Sequence, residues 1–564
     1  MKKNLIKSVL LLLTLSSIWA FTSPKNDKYF EIIKNLDIFA TMYKEINANY
    51  VDDVNPNLIM QTGIDAMLES LDPYTVYYAE DEIEDVRTEN TGQYGGIGAR
   101  IGERIDGGVY ILMPDEGFSA DKAGLKRGDE IIAVNGQDVR KDYDKAAQFL
   151  KGQSGSKAML KVLKPRQGQV EVEVEFEQVT LPNVPYFGMV NEDIGLIKLT
   201  GFRQRASQEV KSAIRNLKKQ GAKKIIIDLR GNGGGLLSEA VNISNLFVDK
   251  GELIVTTKGK LEEMNAEYKT LNASYDTEIP VAVLINSSSA SASEIVAGVM
   301  QDYDRGVIIG QRSFGKGLVQ RTMPLSYNSQ LKVTIAKYYT PSGRCIQALD
   351  YSNRNGDGSV GVVADSLKTL FKTTNGRPVY DGGGVNPDFT TEKVRFSPIT
   401  IGLLAQDAIF EFANQYNFGG QAASPGITVS DALTYGAWPS GKEVVVTDKN
   451  FSDFKAWLIT KDIEYASPLD RELENFKLLA EQNGELDALA PQIERIQDQL
   501  KKDLGADLEN AKEEVMFLLR EELAGRLFLS KGQLEASFST DAEVVKAIAV
   551  LSDSQLLNST LSGQ

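Results

Sequence analysis

The sequence predicts a multidomain α/β chain that is helical at both ends. Three observations predict it. Apolar residues recur at helical spacing near the start, buried-strand patterns alternate with helical ones through the middle, and beyond about Glu392 the chain is rich in Glu, Lys and Leu with few Gly or Pro. At 564 residues it is too long for one domain; about three or four of roughly 150 each are expected, with ample length for sizeable cores.

Lys2, Lys3 and Lys7 precede the apolar run from Ser8 to Ala20, a charged start and an apolar stretch of signal-peptide length. A leader over residues 1–22 is expected, and with it export to the periplasm or cell envelope. The alternative is an uncleaved membrane anchor, since Ile18-Trp-Ala20 is only a fair match to a small-x-small cleavage signal. No cysteine follows the run to carry a lipid, and no later stretch reaches the roughly 18 uncharged apolar residues of a spanning helix. Cys345 is the sole cysteine, which excludes an intramolecular disulfide. A net charge of −15 argues against a nucleic-acid partner held by phosphate contacts.

Residues 25–90 read as a helical segment. Apolar residues keep helical spacing from Tyr29 to Leu36 and from Leu58 to Leu71, and Asp72-Pro73 stops the second helix. Residues 91–179 read as strands and turns. Gly95-Gly-Ile-Gly98 opens a strand, and Ala123-Gly-Leu-Lys-Arg-Gly-Asp-Glu-Ile-Ile-Ala-Val-Asn-Gly136 leads a Gly-Asp turn into an apolar strand and an Asn-Gly hairpin turn.

From 180 to 392 strands and helices alternate: a strand at Gly195 to Thr200, an amphipathic helix at Ala206 to Gln220 and a buried strand at Lys224 to Asp228. That strand enters Leu229-Arg-Gly-Asn-Gly-Gly-Gly235. Such a glycine run permits positive φ and brings backbone N–H groups close to a ligand. The Lys-Ser/Thr of a nucleotide P-loop does not follow it.

The stretch from Val281 to Gly298 joins an apolar strand, a cluster of small hydroxyl residues and an apolar helix. The N–H groups of a helix start suit an oxyanion, and a serine there suits a nucleophile. Ser291-x-x-Glu294 also fits a capping box, so Ser291 could equally be no more than a helix cap. The chain has no histidine, so a nucleophilic Ser291 lacks the imidazole base of the familiar triad and a lysine must serve. A lysine becomes a base only where burial or a neighbouring cation lowers its pKa, which requires a tightly packed apolar setting. Lys316, between Gly315 and Gly317 and flanked by Phe314, Leu318 and Val319, fits that demand.

These motifs together resemble the carboxy-terminal processing, or tail-specific, family of PDZ-containing serine proteases, over most of Tyr29 to Asp388. Ser-Ala-Ser-Ala-Ser-Glu at Ser289 to Glu294 resembles the family's nucleophile motif and Phe-Gly-Lys-Gly at Phe314 to Gly317 its base motif, at the family's usual separation. The resemblance implies Ser291 as nucleophile, Lys316 as base, Gln320 as the residue orienting the lysine and Asp302 as an auxiliary aspartate. It implies an oxyanion hole from Ala292 and one glycine of the loop, Gly234 ahead of Gly233. The family usually has proline where this chain has Gly233. The resemblance also makes 91–179 a PDZ domain, in which Gly95, Gly96, Ile97 and Gly98 bind a peptide's terminal carboxylate and Ile97, Ala99 and Ile101 border the groove. It makes 180–392 a crotonase-like α/β protease core, with Leu71-Asp-Pro-Tyr74 and Gly382 to Asp388 as further matches.

The expected activity is a serine endopeptidase acting on exported proteins with flexible apolar C-terminal tails, with no metal or organic cofactor. A homo-oligomer or an adaptor protein is the expected partner beyond substrate. Two rivals stand beside it: a silent binding or scaffold protein, as in the retinoid-binding repeats that resemble the same core, and a crotonase-type acyl-CoA enzyme, which export disfavours. Residues 393–564, with helical patterns at Phe451 to Trp457 and Leu469 to Leu523 behind a turn at Trp438 to Gly441, read as a solvated helical extension rather than a catalytic one.

Overall fold

The computed structural model describes residues 24–563 except 166, 357, 393–394, 415–427, 431–442, 462 and 501–502. The expected leader and the turn at Trp438 to Gly441 lie outside the described residues. The chain forms two compact units, Met1–Tyr78 with Thr322–Val333, and Ala79–Arg321 with Thr334–Gln564.

The first unit is built on helices α1 (Pro24–Asn49) and α2 (Pro56–Glu69). Asn55 caps α2 through the N–H groups of Asn57 and Leu58, ahead of a proline at its first position. The Tyr43 hydroxyl donates to the Pro56 carbonyl across the helix pair. At Leu71-Asp-Pro-Tyr74 the Asp72 carboxylate accepts the N–H groups of Tyr74 and Thr75, which turns the chain into β1 (Val76–Tyr78). That strand pairs antiparallel with Gln330 to Lys332.

The second unit starts with the PDZ fold. Strands β2 (Gln93–Gly96), β3 (Ala99–Glu103), β4 (Val109–Pro114) and β5 (Glu130–Val134) precede helix α3 (Tyr143–Phe149). Strands β6 (Lys157–Lys164), β7 (Gly168–Glu175) and β8 (Glu177–Thr180) complete it. The sheet runs β3-β4-β5-β6-β7, so β3 is an edge strand, and α3 packs beside it. Alternate residues of β6, Ala158, Leu160 and Val162, are buried, the period expected of a sheet with one wet face.

The α/β core is a six-stranded sheet in the order β9 (Tyr186–Met189), β10 (Ile194–Lys198), β11 (Lys224–Asp228), β13 (Val281–Ile285), β14 (Val307–Gly310) and β17 (Phe389–Thr390). Every pairing is parallel except β9 with β10. Between these come helices α4 (Ala206–Lys219) and α5 (Leu237–Ser244), strand β12 (Leu253–Gly259) and helix α6 (Ala292–Asp302), then strands β15 (Leu318–Pro324) and β16 (Gln330–Tyr339). The inner strands are buried on both faces, which is why they read as unbroken apolar runs. Ile225, Ile227, Val281 and Val283 point into one core with α4, α5 and α6. Their neighbours Ile226, Ala282, Leu284 and Ile309 point the other way.

That second face is covered by the C-terminal segment. Helices α7 (Pro398–Ala405), α8 (Ala408–Ala413), α9 (Asp448–Leu458), α10 (Pro468–Gln482) and α11 (Leu486–Gln499) are followed by α12 (Lys512–Ser537), α13 (Ala542–Ser552) and α14 (Ser554–Ser562). Phe538, Val544, Ala547, Val550, Leu551 and Leu557 close over Leu196, Ile226, Leu284 and Ile309. The expected solvated extension is therefore corrected in part: its last helices form the second layer of the α/β core. Its earlier helices carry a core of their own around Leu403, Phe412, Phe454, Leu519 and Leu523.

The PDZ domain is anchored on this helical domain. Arg127 donates to both oxygens of Glu522 and to the Leu112 carbonyl, and Arg526 donates to Glu522, Asn414 and the Phe410 carbonyl. Arg104 stacks on the Phe410 ring at 3.9 Å and pairs with Asp407. Burial alone would raise the Glu522 carboxyl, but Arg127 and Arg526 hold it down at about 2. A carboxylate with a folded pKa below its ordinary value of 4.5 contributes stability above that value and loses it as pH falls toward 2. Glu522→Gln is therefore expected to cost about 3 to 5 kcal/mol at neutral pH, because it leaves two buried guanidinium groups short of a charge. In thermal unfolding the gap to wild type should narrow as pH drops below about 4.5; a gap independent of pH would refute the pairing.

Candidate active site

β13 ends in a turn that feeds α6, and the hydroxyl cluster lies on that turn. Ser289 and Ser293 are fully buried; their hydroxyls donate to the carbonyls of Leu229 and Asn232, each at 2.9 Å. Ser291, between them, is half-buried and is held at φ 55°, ψ −113°, a conformation rare for a non-glycine residue. Its N–H donates to Glu294 Oε2 at 2.8 Å, the glutamate's half of the capping box. Capping is thus present, but the same carboxylate does more than cap.

Glu294 is fully buried and accepts four hydrogen bonds. The other three come from the loop carrying Lys316: the Ser313 hydroxyl at 2.5 Å and the N–H groups of Gly315 at 2.7 Å and Lys316 at 2.9 Å. Burial pushes the carboxyl above its ordinary range, against the pull of Ser313, Lys316, Gly315 and Ser291. Tyr338 ties the same two segments a second time, its hydroxyl lying 3.1 Å from the Ser291 carbonyl and 2.8 Å from that of Lys316. Burial, with the Glu294 charge beside it, raises this phenol well above its ordinary value, so it stays a donor. Ser291 and Lys316 are therefore joined through their backbones by one carboxylate and one phenol.

The glycines flanking Lys316 are required by packing. A Cβ on Gly315, which has φ +88°, would lie 2.5 Å from Ala348 Cβ, and one on Gly317 would lie 2.8 Å from the Gln347 N–H nitrogen. The expected apolar setting is made differently than the sequence suggests. Leu318 is buried, whereas Phe314 is 47% exposed. Gln320 lies on strand β15, not on a helix; with Leu318 it shares one face, and its side chain donates to Thr334 at 3.1 Å.

Asp302 is placed away from this centre. It ends α6, an 11-residue helix, about 16 Å from Ser291. There it pairs with Arg344 at 2.8 Å and accepts from the Thr340 hydroxyl and the Ser342 N–H. Its role is to fix the turn at Pro341 to Arg344, so the expectation of an auxiliary in the chemistry is corrected on distance.

The glycine loop lies against the serine turn. A Cβ on Gly234, whose φ is +104°, would be 2.9 Å from Ser291 Cβ and from the Ala292 nitrogen. The Gly234 N–H, however, is given to Asn232 Oδ1 at 2.9 Å. Gly234 is thus the residue that admits the serine turn, and among the described residues Gly233 and Ala292 keep backbone N–H groups without a partner. Of the two glycines expected as donors, Gly234 has its N–H engaged and Gly233 does not. Asn232 is the residue that sequence reasoning missed. It is fully buried, donates to the Leu199 carbonyl, and through its own carbonyl accepts the Ala290 N–H and the Ser293 hydroxyl. Its place in a glycine loop after a buried strand was the available signal.

In the PDZ domain, Gly95 and Gly96 are paired with Gln178 and Glu177, so the turn itself is made by Ile97 and Gly98. Gly98, at φ +68°, must be glycine, since a Cβ would lie 2.2 Å from Phe118 Cβ. Ile97 is 2% exposed and belongs to the domain core rather than to the groove wall, while Ala99 and Ile101 are only partly buried. Among the described residues, no group of three or more Cys, Asp or Glu side chains could hold a metal ion.

Comparison with known proteins agrees with this architecture. Residues 193–351 match the model of peptidase family S41, residues 111–164 that of the PDZ domain, and residues 399–551 one described as the C-terminal helical domain of a probable PDZ-protease. The carboxy-terminal-processing protease of Bartonella bacilliformis is 32% identical over 326 residues, 56% of this chain and 73% of that one. The carboxy-terminal processing protease CtpA of Bacillus subtilis is 33% identical over 308 residues, 54% of this chain and 65% of that relative, so slightly less than two thirds of its length is spanned. A solved photosystem II D1 C-terminal processing protease is 26% identical, covering 63% of this chain and 92% of its own at a TM-score of 0.34. The chain belongs to the carboxy-terminal processing protease family, with an S41 core and a PDZ domain.

The loop geometry separates two neighbouring glycines. Gly233 has nothing within 4 Å of a Cβ, whereas Gly234 has positive φ and three backbone or side-chain atoms under 3 Å. Gly234→Ala is expected to lower stability by about 1 to 3 kcal/mol and Gly233→Ala to leave it nearly unchanged. Equal unfolding midpoints in urea for the two variants would contradict this placement.

Proposed function

We propose that the protein is a serine endopeptidase that takes exported proteins by their flexible apolar C-terminal tails and cleaves them through a Ser291/Lys316 dyad. The observation that carries this reading is the double tie of Glu294 and Tyr338 between the serine turn and the lysine loop. A cap alone needs only the Glu294 bond to Ser291; the three bonds to the other loop, which satisfy the buried acid, also bring that loop to the serine turn.

In the proposed reaction, neutral Lys316 takes the proton of the Ser291 hydroxyl and the oxygen attacks the scissile carbonyl. The N–H groups of Ala292 and Gly233 receive the oxyanion, the kind of donor whose loss costs about a hundredfold to a thousandfold in rate. Lys316 then protonates the leaving amine and later removes a proton from the water that releases the acyl group from Ser291. Gln320, beside Leu318 on the same strand face, helps orient the lysine. The substrate tail adds as a strand on the free edge of β3, its carboxylate at the Ile97-Gly98 turn. No metal or organic cofactor takes part. Export to the periplasm or cell envelope, with or without retention of the N-terminal segment, is supported by the basic start and apolar run. Among the described residues no helix is long and apolar enough to cross a membrane.

Incubation with an unfolded protein bearing an apolar C-terminus tests the dyad. Cleavage by wild type should be lost in both Ser291→Ala and Lys316→Ala, while binding of a tail peptide survives. Cleavage that persists in both variants would overturn the assigned site, and wild type that binds tails without cutting any would favour the scaffold.

A second copy of the chain is the partner we propose beyond substrate. Helix α1 leaves Tyr29, Phe30, Ile33 and Leu36 each more than 60% exposed, a stripe that a monomer would leave in water. In sedimentation, wild type should exceed the monomer mass and the double variant Ile33→Glu with Leu36→Glu should fall to it; an unchanged mass would reject this contact.

A further inference from the structure

We infer that the first turn of α13, in the C-terminal helical domain, is a positioning element of the active site, acting through Arg230 and Gln311. The inference rests on the dyad reading above. It starts from Arg230, which opens the glycine loop. Within the core, its Nε and Nη2 bind Asp228 at 2.9 and 2.8 Å, its own N–H donates to the same carboxylate, and its carbonyl accepts from Lys198 at 3.0 Å. Lys198 also binds Asp228. Asp228 is wholly buried, and Lys198 and Arg230 overcome the effect of burial to hold it well below its ordinary pKa.

The outer nitrogen of Arg230 is not held by the core at all. Nη1 lies 2.8 Å from Asp541 and 3.2 Å from Glu543, two acids at the start of α13. Asp541 is also the helix cap, accepting the Val544 N–H. Glu543 is buried and uses its second oxygen on other partners: the Thr391 hydroxyl at 2.8 Å and the Gln311 side chain at 3.4 Å. Gln311 is the first residue after β14, anchored by its N–H on the Ile285 carbonyl, and the chain runs from it through Ser313 to Lys316.

Glu543 thus repeats from the outside what Glu294 does from the inside. One carboxylate oxygen holds the segment that leads into Gly233, and the other holds the segment that leads into Lys316. Arg230 needs this second pair of acids for its planar fork to be filled on all sides. Without them, the guanidinium keeps its bond to Asp228 but loses the contact that fixes the outward side of the loop. Beyond it the loop is held at Asn232, while Gly231 and Gly233 on either side bring no packing of their own to restore the position. Displacements of about 1 Å at a reacting centre can cost on the order of a hundredfold in rate.

Asp541→Asn and Glu543→Gln test this in the full chain, with a fluorogenic peptide ending in an apolar tail. Asn is as good a helix cap as Asp, so Asp541→Asn preserves α13 and removes only the charge from Arg230. Each variant is expected to lose kcat by about tenfold or more, and the pair together up to roughly a hundredfold, with KM, tail-peptide binding and melting temperature close to wild type. Arg230→Lys should lose kcat similarly and show no further loss when combined with Glu543→Gln. Wild-type kcat in both acid variants would overturn the inference. So would parallel losses of kcat and tail binding, which mark a general loosening of the domain. If Glu543→Gln does not fold, Asp541→Asn and Gln311→Ala carry the same test on the two arms separately. Failure of the dyad reading is seen independently, as activity retained in Ser291→Ala.

Discussion

The structure depends on a buried carboxylate. Glu294 is met by one hydroxyl and three N–H groups that converge from the serine turn and the lysine loop. A buried carboxylate with any of these bonds missing would be costly, since each unmet polar group in the interior forfeits about 1 to 3 kcal/mol. The requirement therefore works as a geometric constraint. The Ser291 turn and the Lys316 loop cannot separate without stripping the carboxylate, and the glycines at 315 and 317 are what let the loop come near enough to satisfy it.

The second constraint is the two-sided sheet. Strands β11, β13 and β14 carry apolar side chains on both faces, and the helices following them in sequence cover one face only. The remaining face is closed by residues more than two hundred positions later, in α13 and α14. Exposed, that face would be a continuous apolar patch. The C-terminal helices are accordingly part of the core that orients the glycine loop, and their charged outward residues conceal this in the sequence.

Legibility follows from how local the cause is. Strand β11 was readable to the residue because three consecutive isoleucines sit between Lys224 and Asp228, and the serine turn was readable because the strand, the hydroxyl cluster and the helix are contiguous. The role of Gly234 was half readable: its position in the loop told that a backbone approaches, but the loss of its N–H to Asn232 depends on a side-chain rotation that no pattern encodes. Phe314 misled because adjacency to lysine was taken as contact, whereas its ring is 47% exposed to solvent. Gln320 lies on the strand face of Leu318, while Lys316 precedes that strand, so the four-residue spacing alone does not put the two on one face. Asp302 and Glu543 were beyond reach, since their meaning lies in partners about 40 and more than 300 residues away, whereas Asn232 left a signal in its place in the glycine loop.

The absence of histidine makes these constraints intelligible together. An imidazole base is rigid, has two distinct nitrogens and can be aimed by a third group that binds the far one. A lysine is a flexible four-carbon stem with a single point of charge, and no side-chain partner can aim it in that way. Much of its direction is therefore set where the stem leaves the backbone. At Lys316 that is done by fixing the N–H on Glu294 and the carbonyl on Tyr338, the two backbone groups that flank the Cα from which the stem departs. The same two partners fix the N–H and the carbonyl of Ser291. In the dyad proposed above the alignment falls to the main chain, and the precision that a triad places in a third catalytic side chain would be distributed over a buried acid, a phenol and the glycines that let them close.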